Sequence, residues 1–274
     1  MFLSKRIYNS SLDLYEIYNN IKTMKTLQKR FILGLMVLVA FSAFAFAQDF
    51  SSEYSNLKKV VFNNLTSTES DVLAANDSAA QFATTKVEGA QIDYLAGLYY
   101  MNIDNKAKAG EYYNSALAKA KASYDAEPNA EAYCVYAEAL SQNCTVQSSA
   151  YMVSNGTKVP NFAKKALALD PKCGGASYSM ACYSIYAPAP FCNLKKGLKI
   201  LDSTINTSNL DSDDLFNYYS TYAYVAIKQK DLKKADEYCA KAAEIYPNNK
   251  DLKMLMAHQT KSYGDDIDTS GIQE

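Results

Sequence analysis

Residues 235–247 read ADEYCAKAAEIYP, and residues 163–171 read AKKALALDP. Aligned at their prolines, the two segments place Ala166 on Ala242. In the longer segment, small and apolar residues recur every three or four positions, which is the period of one face of an α-helix. Proline then ends each helix, because it lacks a backbone N–H and its ring clashes with the preceding turn. The two segments therefore predict similar helices, each with a face of small side chains that allows another helix to approach closely.

The helix predicted at residues 235–247 belongs to a longer unit that begins at Phe216 and ends at Pro247. This unit resembles a tetratricopeptide repeat, in which two antiparallel helices occupy about 34 residues, small residues lie where the helices touch, and proline follows. The residues that carry the resemblance are Tyr219, Tyr222, Ala223, Ala226, Ala235, Cys239 and Ala242.

A second clear unit begins at Ala90 and matches the same pattern without a gap. Its small and aromatic marker residues are Gly97, Tyr100, Ala109, Tyr113 and Ala116. The second helix of this unit is predicted to continue for about two turns beyond the usual end, up to Pro128.

Two looser units lie between these. The unit at residues 130–172 contains an insert of polar residues at 141–160, which we expect to be a mobile loop that the fold does not need. The unit at 175–210 carries Tyr178, Ala181 and Cys182 on its first helix and breaks at the APAP sequence of residues 187–190.

The expected fold class is all-α, an α-solenoid of antiparallel helix pairs, since no period-two run is long enough for a strand. In such a fold, stacked pairs bury apolar faces that no single pair could bury. The predicted divisions are an N-terminal helix pair at 48–89, a solenoid at 90–261 with units at 90–128, 130–172, 175–210 and 216–249 and a capping helix at 250–261, and a disordered tail at 262–274.

Residues 24–47 read MKTLQKRFILGLMVLVAFSAFAFA, a basic start, an apolar stretch and a small-x-small end. This pattern is typical of a cleaved signal peptide. We therefore expect residues 1–23 to come from an over-extended gene start, and the mature chain to begin at Gln48, to be periplasmic or secreted, and to have no membrane span after cleavage.

The charge of the mature chain argues against nucleic acid as a partner. Removing residues 1–47 takes away six basic and two acidic residues and leaves 22 basic and 27 acidic ones, a net charge of −5. A nucleic-acid binder would need a basic surface instead.

The sequence contains no recognisable catalytic or metal-binding set, so we expect no enzyme activity, no cofactor and no metal. His258 is the only histidine, and it lies on the predicted capping helix. The acidic run at 211–214 lacks the glycine and glutamate spacing of a calcium loop, and it is better explained as a helix N-cap. The lysines around residues 195–199 and 228–234 suit a solvated helix face, with anion or acidic-peptide binding as the alternative.

The six cysteines leave two interpretations open. Cys134, Cys182 and Cys239 fall where a small apolar side chain packs between helices, which favours free thiols. An even number of cysteines in an exported protein also allows a disulfide, and the best candidates are the residues expected in loops, namely Cys144, Cys173 and Cys192.

The resemblance to tetratricopeptide repeats implies a binding groove lined by the first helix of each unit, and therefore a scaffold that binds a protein or peptide partner in the cell envelope. The pattern that clamps carboxylates in that family is not present here. The alternative is binding of an amphipathic small ligand, since this chain is similar in kind to exported repeat proteins of tripartite ATP-independent periplasmic transporters. The residues expected in the groove are Tyr94, Leu98, Met101, Glu138, Tyr183, Tyr186, Tyr224, Ile227 and Lys228.

Overall fold

A computed structural model describes residues 49–187 and 192–260. The predictions for residues 1–23, for the signal peptide at 24–47 and for the tail at 262–274 lie outside this range. The described residues from Phe50 onward belong to one compact unit. The described residues form α-helices and turns, with one isolated β-bridge and no strand, which confirms the all-α fold class. The helices are Phe50–Phe62 (α1), Glu69–Phe82 (α2), Lys86–Asn102 (α3), Lys106–Ala126 (α4), Ala130–Val146 (α5), Ser149–Gly156 (α6), Val159–Leu169 (α7), Gly174–Tyr186 (α8), Leu194–Thr204 (α9), Ser212–Lys228 (α10), Leu232–Ile245 (α11) and Lys250–Met256 (α12).

Most helices begin at a side chain that accepts a hydrogen bond from the first turn. The Thr85 side chain caps α3 by accepting a hydrogen bond from the Glu88 N–H, and the Glu88 side chain accepts one from the Thr85 N–H. Two N–H groups that would otherwise be unpaired are thus satisfied. The acidic run before α10 has the same role, because Asp211 accepts from the backbone N–H of Asp214 at 3.0 Å. The N-cap interpretation of this run is therefore confirmed.

Consecutive helices pack in pairs, and the first helices of neighbouring pairs also contact each other. The pairs are α1 with α2, α3 with α4, α5 with α7, α8 with α9, and α10 with α11. Contacts also join α1 to α3, α3 to α5, α5 to α8, and α8 to α10. Each pair therefore covers part of the apolar surface of the next, which is how short helices that are marginal alone become stable together.

The two units with the clearest sequence pattern have the same turn between their helices. Asp104 and Lys230 both have positive φ, 61° and 62°, and both lie one residue before the N-cap of the second helix. In each turn the N-cap N–H bonds back over five residues, Asn105 to the Tyr100 carbonyl and Asp231 to the Ala226 carbonyl, both at 2.9 Å. The repeat thus extends to a turn that the sequence pattern did not mark.

The small marker residues lie at the helix contacts, as predicted. Gly97 faces the ring of the fully buried Tyr113, and a Cβ added at Gly97 would lie 2.4 Å from the Tyr113 Cε1. In the last unit Ala223 and Cys239, at the equivalent positions, are buried in the same hydrophobic cluster. The helix α4 ends at Ala126, so its predicted extension is confirmed.

The predicted mobile loop at 141–160 is wrong, because this stretch is helical and packed. The helix α5 continues to Val146, α6 follows, and Val159 begins α7 with 2% of its surface exposed. Asn143 is fully buried, and its side-chain amide donates to Asn114 Oδ1 at 2.8 Å and to the Tyr151 hydroxyl at 3.0 Å. Polar residues here bury hydrogen bonds instead of facing water, which composition alone did not indicate.

The first helix also contacts the end of the described chain. The Phe62 ring lies 5.5 Å from the Phe216 ring and 4.9 Å from the Tyr246 ring, measured between centroids. The Leu65 N–H donates to the Asn248 carbonyl at 3.0 Å. Leu57, Val61 and Phe62 belong to the same hydrophobic cluster as Leu252 and Leu255. The row of contacts between first helices therefore closes, since α1 contacts both α3 and the α10–α12 region.

Within the described range, no helix combines the length and the apolar character that crossing a bilayer requires.

Candidate binding site

Five side chains from four helices of the closed row lie close enough to affect one another's ionisation. They are Tyr54 of α1, Tyr94 of α3, Glu138 of α5, and Tyr178 and Cys182 of α8, which we call the central cluster. All five are half-buried.

Local sequence explains how each helix presents its member. On α1, Leu57 and Val61 are buried at 0% and 1% exposure, which fixes the apolar face and leaves Tyr54 at its edge. On α8, Gly175 has no side chain, and a Cβ there would lie 2.5 Å from Glu138 Oε1. The absence of a side chain at Gly175 thus allows α5 and α8 to approach closely at the cluster.

Burial dominates the electrostatics of the central cluster. Burial raises the pKa of Glu138 well above its usual range, and the nearby acids Asp214 and Asp213 raise it further. Burial likewise raises the pKa values of Tyr54 and Tyr94. Burial therefore favours the neutral carboxylic acid form of Glu138, which can both donate and accept a hydrogen bond.

The side chains of the central cluster are partly exposed, and several of them have no hydrogen-bond partner among the described residues. Within residues 49–187 and 192–260, no hydrogen bond uses the hydroxyl of Tyr54, the hydroxyl of Tyr94 or the carboxyl of Glu138. By contrast the Tyr178 hydroxyl lies 3.0 Å from Thr221 Oγ1. Groups that are largely surrounded by protein, reachable from solvent and without a hydrogen bond leave hydrogen-bonding capacity unused.

Beside the central cluster, Lys58 forms ion pairs with two aspartates. Its Nζ lies 2.7 Å from both Asp211 Oδ2 and Asp213 Oδ1. Burial alone would lower the Lys58 pKa, but the two carboxylates, Asp213 foremost, raise it above its ordinary value. Burial raises the pKa of Asp213 to about 7, and burial raises that of Asp214 to about 6. Near the central cluster, acidic groups therefore outnumber the single lysine.

The structure brings together some of the predicted groove residues and separates others. Tyr94 and Glu138 are both in the central cluster. The rings of Tyr186 and Tyr224 contact each other with centroids 4.8 Å apart, and Lys228 Nζ lies 5.6 Å from the Tyr224 ring centroid. The remaining aliphatic members of the prediction pack against the core that contains α1 and are partly buried there, namely Leu98, Met101 and Ile227.

Tyr183, another predicted groove residue, is half-buried on α8. The members of the central cluster on this helix are Tyr178 and Cys182. Gly197 of α9 faces Ile185 and the Ala181 carbonyl on one side of α8, while Gly175 of α8 faces Glu138 of α5. Cys182, predicted to pack between helices, thus belongs to the site.

Sequence analysis missed the contribution of α1. Tyr54 and Lys58 are spaced one helical turn apart, beside the buried stripe of Leu57 and Val61, so a polar edge on an amphipathic helix was the available signal. Their partners lie on α3, α5 and before α10, and no local pattern connects them. In the described part of the chain, no three His, Cys, Asp or Glu side chains are grouped so that they could hold a metal ion.

A scan against protein-family models gives no match for this chain, and a search of curated proteins also gives none.

Proposed function

We propose that this chain is a non-catalytic binding protein built of tetratricopeptide-like helix pairs, and that it binds a small amphipathic ligand in the recess lined by the central cluster. The observation that carries the proposal is the set of unpaired, half-buried hydroxyl and carboxyl groups of Tyr54, Tyr94 and Glu138. Binding sites for small molecules typically combine aromatic walls with a few such convergent polar groups.

The closure of the helix row favours a small ligand over an extended peptide. Lys58 and Phe62 connect α1 to the region around α10, so the concave side of the first helices is covered where an open row would leave a long groove. A molecule of limited length fits such an enclosed recess without displacing α1.

The charges around the recess favour a ligand with a cationic, hydrogen-bond-donating head group. The raised pKa values of Glu138, Asp213 and Asp214 show that the carboxylate forms of these groups are under-compensated. A bound ammonium group would stabilise the carboxylate of Glu138, and the ring of Tyr94 suits a cation and its apolar chain.

Three probes of equal chain length test this function: octylamine, octanol and octanoate, measured by titration calorimetry below their aggregation concentrations. We expect octylamine to bind most tightly and octanoate least. Glu138→Gln should weaken octylamine binding by about tenfold, since a hydrogen bond to a charged group contributes about 1.5 kcal/mol or more. Tyr219→Phe, which alters a half-buried tyrosine outside the central cluster, is the matched control and should bind like the wild type.

Since burial raises the pKa of Glu138, binding of an amine should favour loss of its proton and should therefore strengthen as the pH rises. Equal binding of octanoate and octylamine would contradict the charge assignment. Absence of binding for all three probes would contradict the small-ligand function.

A second candidate function is the scaffold that binds a protein or peptide partner in the cell envelope, after export. It is favoured by the surface around α10, where Lys228 is exposed beside the contacting rings of Tyr186 and Tyr224. Affinity capture from the native envelope with wild type and with a Tyr183→Ala, Tyr224→Ala double variant tests it. A partner retained by the wild type and lost by a folded double variant would support the scaffold, and equal capture would argue against it.

A further inference from the structure

Two cysteines that are far apart in the sequence meet beside the central cluster. Cys134 lies on α5 with 8% of its surface exposed, and Cys173 is the half-buried N-cap residue of α8. The two thiols lie close enough for each to shift the pKa of the other. A Cβ added at Gly175 would lie 2.8 Å from the Cys134 sulfur, so the missing side chain there is what lets this sulfur reach the first turn of α8.

The backbone around Cys173 is held in place from the other side. The Asn209 N–H donates to the Lys172 carbonyl at 2.8 Å, and Cys173 forms the isolated bridge with Asn209. A Cβ added at Gly174 would lie 2.8 Å from the Asn209 carbonyl oxygen. Since α5 and α8 pack directly on each other, the two thiols face each other between fixed backbones.

The two sulfurs differ in chemical character. The neighbouring Cys134 thiol lowers the pKa of Cys173, although burial opposes this shift. The same contact with Cys173, followed by burial, raises the pKa of Cys134. Cys173 is therefore the better nucleophile, and Cys134 is the thiol that reacts second.

We propose that Cys134 and Cys173 form a reversible disulfide that joins α5 to the start of α8 by exchange with a small-molecule disulfide such as oxidised glutathione. The Cys173 thiolate attacks one sulfur of the small disulfide and releases one small thiolate, which leaves a mixed disulfide on Cys173. Cys134 then loses its proton and attacks the Cys173 sulfur, releasing the second small thiolate. The protein loses two protons and two electrons, and the small disulfide is reduced to two thiols.

This disulfide would enclose residues 135–172, which include α6 and α7, and would remove the Cys173 thiol from beside Glu138, whose pKa it raises. It goes beyond the proposed ligand function and does not depend on which ligand binds. Closing a loop of this length restricts the unfolded chain, so oxidation should raise the melting temperature by about 5 °C or more.

The test uses the mature chain, reduced and then equilibrated in an oxidising glutathione buffer, followed by acid quenching and alkylation. Intact mass should fall by about 2 Da, the loss of two hydrogens. Digestion with chymotrypsin separates the cysteines, since cleavage after tyrosine and phenylalanine gives peptides 134–136 and 163–178, and these two should be found crosslinked. Cys144 and Cys239, which are buried thiols on α5 and α11, should remain reduced in the same sample.

Serine variants distinguish this pair from nonspecific oxidation. Cys134→Ser should stop the reaction at the mixed disulfide on Cys173, which adds the mass of one glutathione. Cys173→Ser should leave Cys134 reduced under the same conditions, and Cys144→Ser should form the disulfide like the wild type. Alkylation of Cys134 and Cys173 as complete as that of Cys239, or a crosslink to another cysteine, would overturn the proposal.

Discussion

Asn249 and Phe62 lie 187 residues apart in the sequence, yet the side-chain amide of Asn249 donates a 2.9 Å hydrogen bond to the Phe62 carbonyl. Phe62 is the last residue of α1, and its carbonyl therefore has no partner within that helix. The Asn249 Oδ1 also accepts the Leu252 N–H at 3.0 Å and so caps α12. One buried side chain thus satisfies the end of the first helix and the start of the last described helix.

Asn249→Ala should lower the free energy of unfolding by about 2–4 kcal/mol, because it removes a cap and leaves a buried carbonyl unsatisfied. The neighbouring Asn248 is half-buried and contributes backbone hydrogen bonds to this junction, so Asn248→Ala is the matched control and should cost less than about 1 kcal/mol. Urea unfolding measures both. Similar losses for the two variants would show that the Asn249 side chain does not join the ends.

Replacing two glycines of α3 by alanine should change the stability of the protein in opposite directions. At Gly97 the new Cβ would lie 2.4 Å from the ring of Tyr113, which is fully buried and cannot move away, so Gly97→Ala should cost about 2 kcal/mol or more. At Gly89 the new Cβ would meet only the flexible Lys119 side chain at 3.4 Å, so Gly89→Ala should stabilise by about 0.5–1 kcal/mol through helix propensity. Thermal and urea unfolding should agree on the two signs, and a neutral Gly97→Ala would refute the close helix contact.

Lys230 has a left-handed backbone, with φ of 62°, in the turn between α10 and α11. This conformation strains a residue with a Cβ, so Lys230→Gly should stabilise the protein by about 1 kcal/mol. Asp104 occupies the same place in the earlier unit, but aspartate tolerates this region better and its Oδ2 accepts from Lys250 Nζ at 3.2 Å. Asp104→Gly should therefore stabilise less or not at all. A larger gain for Asp104→Gly than for Lys230→Gly in chemical denaturation would contradict this explanation.

Substitutions at Asn143 should strongly affect stability. This side chain is fully buried and hydrogen-bonded to Asn114, Tyr151 and Gln147. Asn143→Ala should cost about 2–3 kcal/mol, because the partners are left with unpaired polar groups. Ser154→Ala changes a polar residue of α6 that is exposed, and it should cost less than about 0.5 kcal/mol. Hydrogen exchange across residues 141–160 provides a second readout, and protection no greater than in a free peptide would restore the mobile-loop interpretation.

Stability should increase on mild acidification. Burial raises the pKa of Asp213 to about 7 and of Asp214 to about 6, and it also raises that of Glu138, whereas in the unfolded chain such groups titrate near about 4. Between these values the folded state binds more protons than the unfolded state, so the free energy of unfolding falls as pH rises from about 5 to about 8. The lowered pKa of Asp211 acts in the opposite direction, but it matters only below about pH 4.

Glu138→Gln removes one of these raised carboxyls, so the variant should show a weaker pH dependence than the wild type over the same range. Urea unfolding at pH 5 and pH 8 measures the difference. A wild type more stable at pH 8 than at pH 5 would show that Glu138 and Asp213 are not desolvated as the structure indicates.

The sequence by itself determined the helices outside residues 141–160, the two clear helix pairs at 90–128 and 216–249, and the residues at their internal contacts. Gly97, Tyr113 and Ala223 could be placed because helix faces follow from spacings of three and four residues, and because the contact within a pair joins positions at a fixed separation. The acidic cap at Asp211 is likewise a local effect.

Tertiary structure alone decided the closure of the helix row, the packing of the insert and the composition of the candidate site. A shift of one residue turns a side chain by about 100° around a helix, so the position of Cys182 at the central cluster depends on how α8 is rotated against its neighbours. The meetings of Lys58 with Asp213, and of Cys134 with Cys173, depend on rotations accumulated over several helix pairs. A local sequence period cannot predict these contacts, because each one depends on the geometry of all the helices that lie between its two residues.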